Sequence, residues 1–388
     1  MADKVKFGII GIGNMGRGHS LHMKKINNVE LVAVFDIDPK AFDRLDAETR
    51  AKVRCYTDSE SFFNDPDLEA VIIAVPHYFH VDLAIAAMEH GKHVIVEKPI
   101  SVHKAEAERL IAACARFPHL VRSAMLNQRT IPAHRKLKQL IDSGELGRII
   151  RVNWIITTWF RTQSYYDSGD WRATWAGEGG GVLLNQCPHQ LDLMQWLFGM
   201  PVKVIAQAKI AKYHDIEVED EVNAYLEYAD GSIGNFITST GEAPGTNRLE
   251  IAAERGRVVL EDGELKFLRN EVEVSTQIKE APGGFAKPET WDCKINLPGE
   301  LRQQHAIIIE NVANAILKGE KLIAPVEEGI HGLELGNAML MSGLKNIPVT
   351  LPLDSAVYAE MLNGLIATSK YLKKSATGSH QSDMSSTY

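Results

Sequence analysis

Two side chains in this sequence have the chemistry to act on a hydroxyl group. One is Lys98, in Glu97-Lys98-Pro99. The other is His189, which closes Gly179-Gly180-Gly181-Val182-Leu183-Leu184-Asn185-Gln186-Cys187-Pro188-His189. The run His93 to Glu97 reads as a buried parallel strand, and ligands of doubly wound sheets bind outside the carboxyl ends of such strands. An ammonium there would hold a hydroxyl and stabilise the alkoxide that develops as hydride leaves. Position alone fits a surface lysine equally well, and the isomer of the Lys98–Pro99 bond is left open. Pro188 suits the first turn of a helix, so His189 lies where the helix dipole disfavours imidazolium. A neutral imidazole is what a general base requires. Asp192, three residues on, shares the helix face and is expected to orient the ring, and Asn185 lies one turn earlier. A core histidine bonded to a backbone carbonyl is the commoner fate of such a residue. The triple glycine beside it favours the catalytic role.

Hydride transfer needs an acceptor, and the start of the chain provides for one. An apolar strand over Val5–Ile10 enters Gly11-Ile12-Gly13-Asn14-Met15-Gly16, and a second apolar run, Glu30 to Phe35, ends at Asp36, 20 residues after Gly16. This order is the dinucleotide-binding fingerprint. Gly11 permits the tight turn, Gly13 lets the backbone approach a pyrophosphate, and Gly16 lets the helix pack on the strand. The helix N-terminus offers N–H groups to the phosphates. Asp36 would accept both ribose hydroxyls and repel a 2′-phosphate, and Ile37 supplies no cation for one, so NAD is expected over NADP. A glycine loop of an unrelated α/β protein is the alternative.

Five of the six tryptophans, Trp154, Trp159, Trp171, Trp175 and Trp196, fall within 43 residues, interleaved with Arg161, Tyr165, Tyr166, Asp170 and Arg172. Aromatic faces stack on pyranose C–H faces while Arg and Asp bond hydroxyls. Core packing accounts for Trp154 and Trp196, and sugar binding is expected of Trp171, Arg172 and Trp175.

The elements that position these groups fall into two patterns. Residues 1–126 alternate strands and helices, with helices expected over about 39–48, 59–63, 80–90 and 101–116, and near-continuous apolar strands indicating a parallel sheet covered on both faces. Residues 127–372 begin with a helix over about 133–143. Alternating strands follow over 149–158, 202–210, 221–228, 233–240, 248–253 and 257–261, with Asp230-Gly231 as a hairpin turn. Helices near 301–318, 327–345 and 354–372 close the pattern, the third expected to return to the first domain, and residues 373–388 read as a flexible tail. The fold class is therefore α/β: an N-terminal Rossmann domain and a second α+β domain on an open, mainly antiparallel sheet.

The 388 residues, 45% hydrophobic and 24% charged, have the composition of a globular protein, and the net charge of −8 argues against a nucleic-acid partner. The four cysteines show no CxxC spacing, and no HExxH or Cys/His pairing suggests a metal. No apolar run reaches ~18 residues, so no membrane span is expected, and the lack of a secretory n-region points to the cytoplasm.

Together, GIGNMG at 11–16, AVPHYFH at 74–80, EKP at 97–99 and GGGVLLNQCPHQLDL at 179–193 resemble the Gfo/Idh/MocA family of NAD(P)-dependent sugar and cyclitol oxidoreductases, over the chain to about residue 372. The resemblance implies that Gly11, Gly13, Asn14, Met15, Gly16, Asp36, Ala74, Pro76, His77, His80, Glu97, Lys98 and Asn127 contact the cofactor. It implies catalysis by Lys98 and His189 with Asn185, and substrate contacts by Arg129 as well as by these three. Many members carry an aspartate where this chain has Asn185, which cannot relay a proton and shifts the base role onto His189. The NQCPH form is similar to that of members acting on glucose-like rings, such as levoglucosan and C-glycosides. The expected activity is NAD-dependent oxidation of a secondary hydroxyl, C3 by preference, of a pyranose sugar or glycoside, in a homo-oligomer (dimer or tetramer). A cyclitol dehydrogenase, an NAD-dependent glycoside hydrolase and a non-catalytic NAD-binding regulator are the alternatives.

Overall fold

The computed structural model describes residues 4–297 and 303–373, so the expected tail lies, after Lys373, outside the described residues. Among them, β1 (Val5–Ile10), β2 (Val29–Phe35), β3 (Arg54–Tyr56), β4 (Ala70–Ile73), β5 (His93–Val96) and β6 (Arg122–Ala124) form one sheet in the order β3-β2-β1-β4-β5-β6. Every neighbouring pair is parallel. Helices α1 (Asn14–Met23), α2 (Ala47–Lys52), α3 (Ser59–Phe63), α4 (His80–Glu89) and α5 (Lys104–Cys114) supply the crossovers. Phe7, Ile9, Ile10, Val34, Ile72 and Ile95 are wholly or almost wholly buried, as strands covered on both faces require. The order reverses between β1 and β4, which opens a crevice at their carboxyl ends.

The helix expected over 39–48 is instead two pieces. A 3-10 turn, Pro39–Arg44, is capped by the Asp38 carboxylate, which accepts from Lys40 N at 3.0 Å. Leu45 is extended, and α2 restarts behind a second cap, Asp46, which accepts from Thr49 N at 3.1 Å. Two capping aspartates eight residues apart split one helical pattern into two short ones.

The second sheet is built from β7 (Ile149–Ile156), β8 (Lys203–Ile210), β9 (Glu219–Glu227), β10 (Ile233–Ser239), β11 (Asn247–Ala253), β12 (Gly256–Glu261), β13 (Glu264–Asn270), β14 (Thr290–Lys294) and β15 (Val349–Thr350). Its order is β14-β13-β12-β11-β7-β10-β9-β8-β15, and β7 with β10 is its one parallel pair among the described residues. Asp230-Gly231 makes the β9–β10 hairpin, with Tyr228 N donating to Ser232 O at 3.0 Å. Helices α6 (Pro132–Asp142), α7 (Gln163–Asp167), α8 (Pro188–Phe198), α9 (Val274–Glu280), α10 (Gln304–Lys318), α11 (Gly329–Lys345) and α12 (Ser355–Thr368) complete the chain. In β7, Val152, Trp154 and Ile156 are buried while Arg151, Asn153 and Ile155 on the other face are only half-buried. Helix α11 covers the buried side through α8 and β8.

The last helices tie the two sheets together. Helix α12 packs on α5, as expected, and α10 packs on α1, where the His22 and His305 rings stack at 5.1 Å between centroids. Ala124 N donates to Ala324 O at 2.9 Å. Arg129 is wholly buried and grips Asp192 of α8 through Nε to Oδ2 at 2.8 Å and Nη2 to Oδ1 at 2.6 Å. Its Nη1 donates to Glu328, just before α11, and to Ile323 O at 3.3 Å. A buried charge that loses its partner is strongly destabilising, whereas a half-exposed partner is replaced by water. Asp192→Asn should therefore cost about 3 kcal/mol or more of unfolding free energy, measured by urea denaturation followed by circular dichroism. Glu328→Gln should cost less than about 1 kcal/mol. Equal losses would contradict this reading of the network.

Candidate active site

The crevice at the carboxyl ends of β1, β2, β4 and β5 has a volume of about 870 Å³. At one end lie Gly11, Gly13, Asn14, Met15 and Asp36. Gly11 has φ of 89°, and a Cβ there would sit 2.6 Å from Ala74 O, so this turn between β1 and α1 accepts only glycine. A Cβ at Gly13 would meet no protein atom within 4 Å. It would enter open crevice space, the form expected of a cradle whose occupant approaches the backbone itself. Helix α1 starts at Asn14 without a side-chain cap, which leaves its first N–H groups for a ligand. The Asp36 carboxylate accepts from Ile12 N at 2.7 Å and Asp38 N at 3.0 Å, which aims it along the crevice wall. Arg44 donates to Ile12 O at 3.1 Å beside it, a cation the sequence pattern did not place there. These features fit a dinucleotide with its pyrophosphate at the glycine turn and a ribose at Asp36.

At the other end the two halves of the chain meet. Lys98 follows β5 through a cis bond to Pro99, and its Nζ donates to the Asn185 carbonyl at 3.1 Å. Burial, reinforced by the Arg172 and Arg161 charges, lowers its pKa below the usual 10.5. Glu97 lies beneath it, accepting from Lys98 N at 3.0 Å and lying 2.7 Å from His19 Nε2. Burial would raise the Glu97 carboxyl, but the His19 contact outweighs it and holds it at about 2. His189 also lines this end and is 2% exposed, and neither of its ring nitrogens has a partner among the described residues. Burial, with the Lys98 charge adding to it, drives the imidazole well below the usual 6.5, so it is neutral. A buried, neutral, unsatisfied imidazole beside an ammonium is arranged to receive a proton from a third group.

The far wall is the segment between β7 and α8. Trp171, Arg172, Trp159, Arg161, Tyr165, Ser168 and Gln186 line it. The Asn185 amide donates to Glu178, and its oxygen accepts from Tyr165 OH at 3.3 Å. Glu178 also accepts from Ala173 N at 2.6 Å, and burial raises its pKa. Asn185 therefore meets Lys98 by its backbone, while its side chain fastens the loop. Lys373 clamps the same loop from outside, donating to Tyr166 O at 2.5 Å and Arg172 O at 2.8 Å.

Ala74, Pro76, His77, His80, Glu97, Lys98, Asn185, His189, Trp171 and Arg172 all line the crevice with the glycine turn. Five expected residues do not line the crevice. Arg129 is spent on Asp192 and Glu328 and does not reach the crevice. Asp192 consequently orients Arg129, not His189. Asn127 is fully buried and donates to Gln304 at 3.0 Å. Trp175 is buried behind the loop, where its backbone N–H donates to Glu217 at 2.8 Å and its carbonyl accepts from Tyr78. Gly16 lies below the crevice floor, where a Cβ would sit 1.9 Å from Gly11 O. His80 lines the wall, but its ring nitrogens lie 2.8 Å from Pro99 O and Val75 O, tying the β4 loop to the Lys98 turn. Glu178 was missed, although it is the acid directly before the triple glycine.

Gly13→Val should leave circular dichroism and melting unchanged, since a Cβ there meets no protein atom within 4 Å. It should weaken NADH binding by about 100-fold or more, or about 2.7 kcal/mol, measured by calorimetry. Unchanged affinity would remove the dinucleotide from the glycine turn.

Residues 5–124 match the oxidoreductase family NAD-binding Rossmann fold of the Gfo/Idh/MocA proteins, and residues 134–259 match their C-terminal domain. The myo-inositol 2-dehydrogenase of Thermotoga maritima is 25% identical over 66% of this chain and 74% of its own. The levoglucosan dehydrogenase of Pseudarthrobacter phenanthrenivorans is 27% identical over 66% and 73%. The crystal structure of the WlbA dehydrogenase from Bordetella pertussis, in complex with NADH and UDP-GlcNAcA, superposes with a TM-score of 0.74 at 25% identity, over 90% of this chain and all of that one. Glycine turn, Asp36, Lys98 and His189 thus stand in one crevice of a chain that belongs to the Gfo/Idh/MocA family of NAD-dependent oxidoreductases.

Proposed function

We propose that this protein oxidises a secondary hydroxyl, C3 by preference, of a pyranose sugar or glycoside with NAD as the acceptor. The observation that carries the reading is the unpartnered His189 imidazole beside the Lys98 ammonium in the crevice that holds the glycine turn. Gly11, Gly13, Asn14, Met15 and Asp36 would hold the dinucleotide, with Ala74, Pro76, His77 and Glu97 along its path. When bound, NAD supplies the acceptor for the hydride leaving the carbinol carbon.

The chain's own residues supply the rest. His189 takes the hydroxyl proton on a ring nitrogen that has no competing bond. Lys98 stabilises the negative charge left on the oxygen, and its hold on the Asn185 carbonyl fixes its aim. Glu97, already ionised and bonded to His19, keeps a negative charge beneath Lys98 and helps it stay protonated despite burial. Trp171, half-buried in the crevice wall, would stack on the sugar.

The inositol dehydrogenase relative supports a cyclitol as the second substrate class. We further propose a homo-oligomer joined through the uncovered face of the second sheet, and a cytoplasmic location. Cys55, Cys114, Cys187 and Cys293, all unpaired, support that location, and no helix among the described residues is long and apolar enough to cross a membrane.

The direct experiment is a panel of free aldoses, glycosides and cyclitols with NAD, read by absorbance of NADH and by NMR of the oxidised carbon. A pyranose converted to its 3-keto product is expected. Cleaved glycoside without net NADH would instead identify a hydrolase that recycles its cofactor. Lys98→Met should lower kcat by about 10²-fold or more while NADH affinity is retained. An unaffected kcat would remove Lys98 from the chemistry.

The pH profile of kcat/KM carries a separate prediction. His189 must be neutral to accept the proton, so activity falls as pH drops through its pKa, and burial puts that below 6.5. Lys98 must be charged, so activity falls as pH rises through its pKa, which burial puts below 10.5. Both limbs should therefore lie on the acid side of the ordinary values. An acid limb at or above pH 6.5 would contradict the assignment of His189.

A further inference from the structure

We propose that Arg161 and Arg172 form a subsite for an acidic group, a carboxylate or a phosphate, carried by the substrate sugar. The proposal deepens the dehydrogenase reading and takes its sugar from it. Both guanidinium groups line the crevice wall next to Lys98. They frame one ring, with Arg161 Cζ 5.0 Å and Arg172 Cζ 4.7 Å from the Tyr165 centroid. Each has a second aromatic neighbour, Trp159 at 5.6 Å and Trp171 at 4.6 Å. Stacking fixes the planes of these cations but leaves most of their N–H donors unused.

Their hydrogen bonds are few. Arg172 Nη1 donates to Tyr165 OH at 2.9 Å, and Arg161 Nη1 donates to Phe160 O at 2.9 Å. Arg161 Nε is buried without a partner among the described residues. Other arginines at or beside the second sheet hold a carboxylate closely: Arg148 at 2.8 Å, Arg151 at 2.8 Å and Arg248 at 2.6 Å. Arg161 and Arg172 have no ion pair of this kind among the described residues. The nearby acid, Glu178, is already held by Asn185 and by Ala173 N. Asp167 accepts from Gln163 at 3.0 Å.

Electrostatics point the same way. Both arginines are near enough to Lys98 to oppose its charge, so three cations, offset in part by Glu97 and Glu178, converge on one partly dry space. The chain as a whole carries −8. A positive pocket in a negative protein does not attract polyanions in general; it selects a small anion that fits. A neutral sugar would leave the guanidinium donors half-satisfied, whereas a carboxylate or phosphate accepts from them in the charge-assisted geometry that suits arginine.

The test is calorimetric titration of the enzyme–NADH complex with D-glucuronate, D-galacturonate and D-glucose 6-phosphate against D-glucose and D-galactose, with turnover by NAD measured on the same sugars. At least one acidic sugar should bind about 100-fold tighter than its neutral counterpart, and the uronate and phosphate arms identify which acid the subsite takes. Arg161→Gln and Arg172→Gln should each erase most of that preference while NADH binding, the check on folding, stays unchanged. Equal binding of acidic and neutral sugars, or a preference that survives both substitutions, would overturn the subsite. Neutral sugars oxidised without any acid preference would do so while leaving the dehydrogenase reading intact. Tight acid binding with no NADH from any sugar would keep the subsite and sink that reading.

Discussion

The hydrogen bond from Lys98 Nζ to the Asn185 carbonyl at 3.1 Å is the contact on which the site depends. It joins the turn after β5 to the loop before α8, two segments 87 residues apart in sequence. Because it places an ammonium beside a buried imidazole, it also decides protonation. Two cations cannot share a low-dielectric space cheaply, so one group gives up its proton. Burial penalises both, but Glu97 beneath Lys98 favours the ammonium, and the Lys98 charge in turn suppresses imidazolium at His189. The roles proposed for the two groups, a base at His189 and a cation at Lys98, follow from that asymmetry rather than from either residue alone.

The surrounding architecture serves to hold those two segments still. Glu97 is fixed by His19 of α1, the β4 loop is tied to the Lys98 turn through His80, and α8 is anchored through Asp192 to Arg129. The glycine loop before α8 is pinned from the second sheet, where Glu219 accepts from Gly181 N at 2.9 Å and Leu183 N at 3.1 Å. Each tether ends on a charged or polar group that is itself buried, so slack in one is a cost to the others. The outer wall is different: Lys373 clamps a loop whose Trp171 and Arg172 are only half-buried. Variation in substrate choice can reside there without disturbing the tethered floor.

Much of this was legible in the sequence because it is written in short-range pattern. The β1, β2, β4 and β5 strands are near-continuous apolar runs, and the glycine turn, Asp36, Lys98 and His189 each sit at an element boundary that punctuation residues mark. What escaped depends on partners far away. Arg129 looks like a free cation at the start of a linking segment, but its partner Glu328 is 199 residues on. Asp192 has helical spacing from His189, yet a buried guanidinium competes for it and wins. Trp175 shares a loop with Trp171, and only the fold decides which of the two faces the crevice. The strands β3 and β15, with three and two residues, are too short to leave a period, and β14 is largely exposed and carries no apolar alternation.

The claim that Lys98 and His189 act on one reacting hydroxyl is tested most directly by a double-mutant cycle. Single-turnover formation of NADH would be timed in the wild type, Lys98→Met, His189→Gln and the double variant, with a sugar that the wild type oxidises. Groups that act as a unit are non-additive, so the double variant should be about as slow as the slower single variant. Losses that multiply would mean that the ammonium and the imidazole work independently, and would contradict a shared reacting hydroxyl.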